Sequence, residues 1–383
     1  MSLAGYATPE GTARYAARLS PHVSPDHFRT HQGLSLASIG LGTYLGEPDA
    51  ATDQLYHNAV IATTQLGSNV IDTAINYRFQ RSERIIGQAL EELAGHGRVA
   101  RDELLIATKG GFVPFDGEYP ADPAAYIRQT FLDSGLVAPQ EIVADCHCLS
   151  PAYLNHQLTQ SRQNLRLACL DVYYLHNPEM QLEAVSRGEL LSRMTAAFQF
   201  LEQQASQGTI RWYGTATWNG YRVAPESQDY LSLEELVRCA ERVAGSAHHF
   251  KFLQLPYNLA MPEAALARNQ RLAGRSVSLL EAAQQLGLTV MASASILQSR
   301  LTGTLPAWVV DATAELATSA QRALQFVRST PGLAVALVGM KREEHVTENL
   351  ATAKHPPLTD EAWQRAVARA AAEPPARTRQ VAR

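Results

Sequence analysis

The chain has 383 residues, of which 46% are apolar and 18% are charged, and its formal net charge at pH 7 is −4. This composition is typical of a folded protein with a sizeable core rather than of a disordered chain. Because no cluster of Lys and Arg interleaves with aromatic residues, we expect no nucleic-acid partner. No apolar run reaches the roughly 18 to 20 residues that span a bilayer, and the first residues lack a secretory signal pattern. We therefore expect a cytoplasmic protein without a membrane partner.

The four cysteines are too few and too irregularly spaced for a disulfide framework in a chain of this length. Residues Cys146, His147 and Cys148 are of the types that bind zinc. However, adjacent residues of a strand point to opposite faces, and no second ligand pair lies at zinc spacing. We predict reduced thiols and no metal.

Short β-rich apolar runs alternate with helix-like segments along most of the chain. Strands that are buried on both faces and separated by amphipathic helices predict a parallel sheet covered by helices. Eight such units are the number that closes an α/β barrel, so we predict a (β/α)8 TIM barrel. The predicted strands are 69–73, 104–108, 142–147, 171–176, 210–215, 250–255, 289–293 and 334–338.

The helix-like segments repeat apolar residues at three- and four-residue steps. Ser278 and Glu281 have the capping-box spacing of a helix start. The alternative doubly wound fold expects a glycine-rich turn after its first strand, and residues 73–77 contain no glycine. The predicted helices are 82–93, 151–165, 190–207, 233–244, 278–286 and 312–328.

Several segments lie outside the repeat. Residues 1–33 form an N-terminal extension, and the alternation in 34–43 predicts a small hairpin that caps the barrel floor. The barrel domain extends over 34–372 and includes a long excursion, 112–141, after the second predicted strand. Loops after barrel strands face the active-site end, so this excursion is expected to form part of the substrate pocket or a subunit contact. Residues 373–383 are predicted to be a frayed tail.

Polar residues at strand ends are the candidates for chemistry, because reactive side chains of such barrels lie there. The first predicted strand ends near Asp72, with Tyr77 five positions on; Lys109 and His176 end two others. A neighbouring ammonium is expected to lower the pKa of a phenol, so Lys109 would make Tyr77 a proton donor. Asp72 would supply the counter-charge of a buried lysine, and His176 would orient a substrate carbonyl. His147 is the rival for the histidine role.

These four residues, in this order, resemble the Asp-Tyr-Lys-His tetrad of the aldo-keto reductase family. The resemblance covers about residues 34–355 and is specific as an ordered set of motifs. It implies NAD(P)H-dependent reduction of an aldehyde or ketone, with Tyr77 as general acid. The supporting motifs are Gly-Leu-Gly-Thr at 40–43, Asp-Thr-Ala-Ile-Asn-Tyr at 72–77, Ser-Glu-Arg-Ile-Ile-Gly at 82–87, Ala-Thr-Lys-Gly at 107–110, Asp-Val-Tyr-Tyr-Leu-His at 171–176 and Glu-Asn-Leu at 348–350.

The cofactor contacts implied by the resemblance depart from the family pattern at the nicotinamide end. Ala216 and Thr217 stand where relatives often have Ser and Asn, while Gln254 keeps a carboxamide contact. Ser293 stands where many relatives have a tyrosine that stacks on the nicotinamide, a loss of about 1 kcal/mol or more.

The resemblance extends to the phosphate and adenosine contacts. Lys341 or Arg342 would pair with a 2′-phosphate, which favours NADP(H), with NAD(H) as the alternative. The remaining predicted cofactor residues are Gln298, Ser299 and Arg300 at the pyrophosphate, and Gly339, His345, Glu348 and Asn349 toward the adenosine.

Phe112, Trp218, Tyr257 and also Trp308 are predicted to wall a substrate pocket for a partly apolar or ring-shaped carbonyl compound. Two other functions remain open at this point. One is a nucleotide-binding barrel that acts as an accessory or sensor subunit without turnover. The other is an aldolase-like barrel in which Lys109 forms a Schiff base. The natural substrate, the direction of the reaction and the oligomeric state are not predicted.

Overall fold

The computed structural model describes residues 2–372, and eight parallel strands form a closed barrel. The order around the barrel is β3, β4, β5, β6, β7, β8, β11 and β12, with β12 paired to β3. The predicted (β/α)8 barrel is thereby confirmed. The strands of the described part are β1 (Phe28–His31), β2 (Leu34–Ala37), β3 (Ile39–Gly42), β4 (Val70–Asp72), β5 (Leu105–Gly110), β6 (Leu170–His176), β7 (Ile210–Ala216), β8 (Phe250–Pro256), β9 (Gln270–Leu272), β10 (Arg275–Val277), β11 (Thr289–Ser293) and β12 (Leu333–Gly339).

Helices cover the outside of the barrel. Those of the described part are α1 (Pro9–Leu19), α2 (Ala50–Gln65), α3 (Arg81–Gly95), α4 (Pro123–Ile127), α5 (Pro151–Leu165), α6 (Arg187–Ser206), α7 (Leu233–Ala244), α8 (Glu263–Leu266), α9 (Leu279–Gln285), α10 (Ala307–Ala312), α11 (Ser319–Arg328), α12 (Glu343–Ala351) and α13 (Asp360–Ala372). The predicted capping box at α9 is present, since the Glu281 amide donates to Ser278 Oγ at 3.2 Å and the Ser278 amide donates to Glu281 Oε2 at 2.8 Å. The predicted helix 312–328 is wrong at its start, because Thr318 caps α11 and separates it from the short α10.

The predicted strand 142–147 is wrong. Val143 and His147 form only an isolated bridge, and the two residues after Val143 turn the chain back with φ of 49° and 53°. In the barrel β5 pairs directly with β6, and the eighth strand is instead β3, which lies between β12 and β4 and which the sequence pattern assigned to a hairpin. A side chain at Gly40 in β3 would lie 2.8 Å from Leu337, so close packing between neighbouring strands requires glycine there.

The barrel floor is closed by the N-terminal part of the chain. Strands β1 and β2 form the predicted hairpin, shifted toward the N-terminus from 34–43. Leu34 and Leu36 of β2 pack with Val70 and Leu105 in an apolar cluster inside the barrel. The Ala7 amide donates to Asp171 at 2.6 Å and ties the extension to β6.

The excursion 112–141 lies after β5, at the carboxyl end of the barrel. It contains α4 and a π-helical turn, Arg128–Leu132. Val113 and Phe131 pack with Tyr153 of α5 in a small apolar cluster of their own. The excursion is therefore an ordered lip beside the strand ends. The predicted tail 373–383 lies outside the described residues.

Among residues 2–372, no helix combines the length and the apolar character needed to cross a membrane. The four cysteines are free. Within the same range, no group of three or more His, Cys, Asp or Glu residues could hold a metal ion.

Candidate active site

A buried ion pair lies inside the barrel near the carboxyl ends of the strands. Lys109 Nζ on β5 donates to Asp72 Oδ2 at 2.6 Å and to the Thr73 carbonyl at 2.8 Å. Gln254 on β8, across the barrel from β4, donates its amide to Asp72 Oδ1 at 2.7 Å. Both carboxylate oxygens of Asp72 thus accept hydrogen bonds from side chains that meet only in the closed barrel.

Burial and the neighbouring charges have opposing effects on the pKa values of Lys109 and Asp72. Burial alone would lower the pKa of Lys109, but the Asp72 carboxylate and the Tyr77 phenol raise it above its usual value. Burial also raises the pKa of Asp72, opposed by Lys109 and Gln254. The 2.6 Å contact and the amide on the other carboxylate oxygen favour the ionised form.

Tyr77 lies in the loop after β4, directly beside this pair. Lys109 Nζ is 4.8 Å from the centre of its ring, and the ring of Tyr44 packs against it edge-on at 5.0 Å. The next three residues, 78–80, all have left-handed backbone angles, with φ of 48°, 56° and 71°. Such angles are costly for residues other than glycine, so this turn must be held by its surroundings.

Arg78 holds the turn after Tyr77. Its guanidinium is buried, donates to the Glu47 carbonyl at 2.9 and 2.8 Å, and pairs with Asp53 at 2.7 Å. These contacts connect the turn to the loop between β3 and α2 and to α2 itself. The position of the candidate proton donor is thereby fixed from two sides.

The pKa of Tyr77 differs from the sequence-based expectation. Burial raises it above its ordinary value of 10.0, and the lowering effect of the Lys109 charge does not outweigh this. The expected net decrease is therefore wrong for the protein without ligands. The phenol is protonated at neutral pH, which a proton donor requires.

His176 ends β6 and faces Tyr77, with 5.9 Å between the ring centres. Phe112 packs edge-on against the imidazole at 4.8 Å. Burial, together with the nearby charge of Lys109, holds the pKa of His176 well below its usual value, so the ring is neutral. Its Nδ1 atom is buried without a hydrogen-bond partner.

His147, the other candidate for the histidine role, lies behind the backbone of His176. It is fully buried, and its Nε2 lies 2.6 Å from the His176 carbonyl oxygen. The Gln181 amide donates to its Nδ1 at 2.8 Å, so the proton is on Nε2 and is donated to His176. Burial lowers the pKa of His147 to about 4. His147 therefore supports the backbone of His176 rather than replacing it.

The predicted nicotinamide contacts lie at the ends of neighbouring strands β7, β8 and β11. Thr217 follows β7, and its amide donates to the Gln254 carbonyl at 2.8 Å. Its hydroxyl oxygen is buried and has no hydrogen-bond partner. Ser293 ends β11 beside Pro256 of β8. The Gln254 side-chain amide, in contrast to the expected carboxamide contact, is already bound to Asp72.

The predicted phosphate and adenosine contacts continue in the same direction around the barrel. Gln298, Ser299 and Arg300 are exposed in the loop after β11, where residues 297–299 are again left-handed. Gly339 ends β12. The side chain of Lys341 extends over Gly46, and its Nζ would lie 3.5 Å from a Cβ atom at that glycine. The remaining three lie on α12: His345 is exposed, Glu348 is half-buried, and Asn349 has a buried Oδ1 without a partner.

The predicted pocket residues separate into two groups. Phe112 lies against His176, and Trp218, 42% exposed, lies in the loop after β7. Tyr257 is fully buried, stacks on Phe326 of α11 at 6.0 Å and contacts Thr330, so it faces the helix layer. Trp308 packs on the same Phe326. The expectation that Tyr257 and Trp308 line the pocket is wrong, because Tyr257 packs against α11 and Trp308 belongs to the packing between α10 and α11.

Comparison with known proteins assigns the chain to a family. The family described as Aldo/keto reductase matches residues 38–369. The chain belongs to the aldo/keto reductase family. As a member, it is an oxidoreductase. The match begins one residue before β3 and so leaves the N-terminal extension and its hairpin outside the family region.

Individual aldo/keto reductases resemble this chain at low identity. A curated relative, the NADH-specific methylglyoxal reductase of Escherichia coli (strain K12), is 26% identical over 208 residues, 53% of this chain and 54% of the relative. The chain thus matches about half the length of that relative. An aldo/keto reductase from Klebsiella pneumoniae, solved with NADP and acetate, has a TM-score of 0.60 at 23% identity and covers 92% and 97% of the two chains. The glycerol dehydrogenase of Gluconobacter oxydans has a TM-score of 0.61 at 18% identity, with 94% and 100% covered.

Proposed function

We propose that this aldo/keto reductase reduces an aldehyde or ketone with a hydride from a nicotinamide dinucleotide and that Tyr77 donates the proton. One observation carries the proposal: a buried ammonium, Lys109 Nζ, lies 2.6 Å from Asp72 and 4.8 Å from the ring centre of a protonated tyrosine. The neutral ring of His176 completes the cluster.

Proton delivery follows from the charges of this cluster. A phenol becomes a phenolate when it gives its proton to the developing alkoxide, and Lys109 stabilises that negative charge in a site with little water. Asp72 keeps the lysine charged and in place. His176, neutral at physiological pH, can donate one hydrogen bond to the substrate oxygen and so orient the carbonyl toward Tyr77.

The residues present fit a nicotinamide dinucleotide, which supplies the hydride when bound. Thr217 Oγ1 and Asn349 Oδ1 are buried polar atoms without partners, and such atoms are costly unless a ligand or water satisfies them. Thr217 directly follows β7, and Asn349 lies on α12, the helix that follows β12. We therefore propose that Thr217 contacts the nicotinamide end and Asn349 the adenosine end.

The preferred dinucleotide depends on the charges beside α12. Lys341 and the exposed Arg342 are placed to bind a 2′-phosphate, and we propose NADPH on this ground. The acidic residues of the adjacent cleft would repel a 2′-phosphate and so favour NADH, which is the alternative dinucleotide. The cleft is lined by Leu55, Asn58, Glu343, Glu344, Thr347 and Glu348. The ratio of kcat/KM with NADPH to that with NADH tests this choice.

The proton-donor assignment is tested by Tyr77→Phe with methylglyoxal and a panel of other aldehydes and ketones. We expect kcat to fall about 100-fold or more, while nucleotide affinity and the unfolding temperature change little. Tyr44→Phe is the matched control, because this ring touches Tyr77 but is 55% exposed. Full turnover by the Tyr77→Phe protein would refute the assignment.

The two other functions considered from the sequence receive no support. A Schiff-base lysine must be unprotonated, whereas the neighbouring carboxylate and phenol raise the pKa of Lys109 despite its burial. A sensor barrel without chemistry does not require Tyr77, Lys109 and His176 to meet in one cluster.

A further inference from the structure

A buried carboxylate outside the candidate tetrad holds the loop after β7. Glu179 lies three residues after His176, in a short 3-10 helix, Pro178–Glu183, and only 4% of it is exposed. Its Oε1 atom accepts hydrogen bonds from three consecutive backbone amides: Trp218 at 2.7 Å, Asn219 at 3.0 Å and Gly220 at 3.2 Å. A single oxygen thus fixes the path of three residues.

The three hydrogen bonds to Glu179 stabilise the loop strongly for a contact made by one oxygen atom. Hydrogen bonds to an ionised acceptor are roughly twice as strong as neutral ones. The loop has no regular structure, so these amides would otherwise need water or other acceptors. Gly220 allows Leu231 to pack closely on the loop, because a side chain there would lie 2.7 Å from Leu231.

The arrangement has a cost that packing alone does not explain. The second oxygen, Glu179 Oε2, is buried and has no hydrogen-bond partner. Burial raises the pKa of Glu179 above its usual value, opposed by the backbone amides of the loop. Burial of a carboxyl group costs free energy unless the group is hydrogen-bonded, and here the bonds that offset the cost are those to the loop.

The loop is connected directly to the candidate active site. Thr217, with its unpartnered hydroxyl, precedes Trp218 in the chain, and its own amide is bound to the Gln254 carbonyl. Gln254 in turn donates to Asp72. Glu179 therefore connects the turn that follows His176 to the segment that carries Thr217.

We propose that Glu179 is a positioning residue that fixes loop 217–220 for binding of the nicotinamide end of the dinucleotide. This inference rests on the proposed function, because it takes Thr217 as a nicotinamide contact. Glu179 does not touch the reacting atoms. Its effect is expected on dinucleotide affinity, with little effect on the chemical step.

The test compares Glu179→Ala and Glu179→Gln with a matched control, Glu202→Gln. Glu202, on α6, is a largely buried carboxylate that also accepts a backbone amide, from His249 at 2.7 Å. His249 directly precedes β8, so this contact lies at the opposite end of the barrel. Three quantities are measured for each variant: amide hydrogen exchange of residues 218–220 without ligand, KM for NADPH against kcat, and the unfolding temperature.

We expect Glu179→Ala to speed exchange at residues 218–220 about tenfold or more and to raise the KM for NADPH about tenfold, with kcat changed less than about threefold. Glu179→Gln keeps an oxygen acceptor of the same length, so its KM should lie between those of the parent and the alanine variant. It also serves as the working variant if the alanine protein does not fold. Glu202→Gln should leave both exchange at the loop and the KM unchanged.

Two results would overturn the inference. One is an unchanged KM in both Glu179 variants when the parent binds NADPH normally. The other is an equal rise in KM for Glu202→Gln, which would indicate general destabilisation. If the parent protein binds neither NADPH nor NADH, the proposed function itself fails, whereas normal binding by the parent with an unchanged KM in the Glu179 variants refutes this inference alone.

Discussion

The ion pair between Lys109 and Asp72 gives the sharpest stability prediction. Lys109→Met keeps most of the side-chain length and removes the ammonium that contacts Asp72 at 2.6 Å and the Thr73 carbonyl at 2.8 Å. Asp72 is then left inside the barrel with only the Gln254 amide as a partner. Removing one member of a buried pair costs about 3–5 kcal/mol, because the other charge stays buried. We expect the free energy of unfolding to fall by that amount.

A second substitution separates the lost charge from the lost contacts. Asp72→Asn in the Lys109→Met background removes the orphaned charge and keeps an oxygen for the Gln254 amide. About 2 kcal/mol of the loss should return, since a neutral buried group without a partner costs about 1–3 kcal/mol and a charged one costs more.

Denaturant unfolding of the parent, the two single variants and the double variant closes this cycle. A loss below about 1 kcal/mol for Lys109→Met, or a double variant less stable than Lys109→Met alone, would show that the pair does not carry the charges assigned to it. The measurement thereby tests whether Lys109 and Asp72 are both charged in the folded protein. Turnover should be strongly reduced in both variants that carry Lys109→Met, because Tyr77 loses the cation beside its ring.

Two more predictions concern buried groups near the barrel. Burial raises the pKa of Glu83 above 4.5, so its charged form destabilises the fold at higher pH, and stability falls as the pH rises from the ordinary glutamate pKa through the raised one. Glu83→Gln should therefore unfold at a higher temperature than the parent at pH 8, with the difference vanishing toward pH 4.5; a constant difference would contradict this. His147→Leu removes the donor to the His176 carbonyl and should lower kcat about tenfold without changing the KM for the dinucleotide. His147→Gln, which keeps a donor, should recover part of the loss, and equal kcat values for both variants would exclude the hydrogen bond as the cause.

The sequence was most informative where periodicity and strand ends coincide. Continuous apolar runs located seven of the eight barrel strands, because a parallel strand that is buried on both faces is apolar along its whole length. Asp72, Lys109 and His176 could be selected because the end of such a run faces the active side of a barrel. The structure brings these three together with Tyr77.

The errors in the fold have local causes. Strand β3 is short and contains two glycines, and its apolar alternation runs on from β2, so the pattern of a hairpin and that of a barrel strand are the same there. Residues 142–147 have strand-forming composition, but two of them adopt left-handed angles that no propensity indicates. Tertiary packing decides both cases.

The side chains that support the site leave weaker traces in the sequence. Tyr257 follows a strand end, as pocket residues do, but its direction depends on Phe326 of a helix that lies far along the chain. Glu179 binds only backbone amides, and no residue pattern marks such partners. The pKa of Tyr77 depends on how deeply the phenol is buried, which spacing cannot give.

The turn after Tyr77 has a consequence for exchanging loops between relatives. Arg78 connects that turn to the Glu47 carbonyl and to Asp53, so the first loop at the mouth of the barrel and the proton donor form one mechanical unit. Replacing residues 44–49 to alter substrate range would remove the support of three left-handed residues and shift the phenol. Substitution of the Trp218 side chain, on the opposite side, avoids this coupling, because Glu179 binds the backbone amides of that loop and not its side chains. Substrate range should therefore be easier to alter from the β7 side of the barrel than from the β3 side.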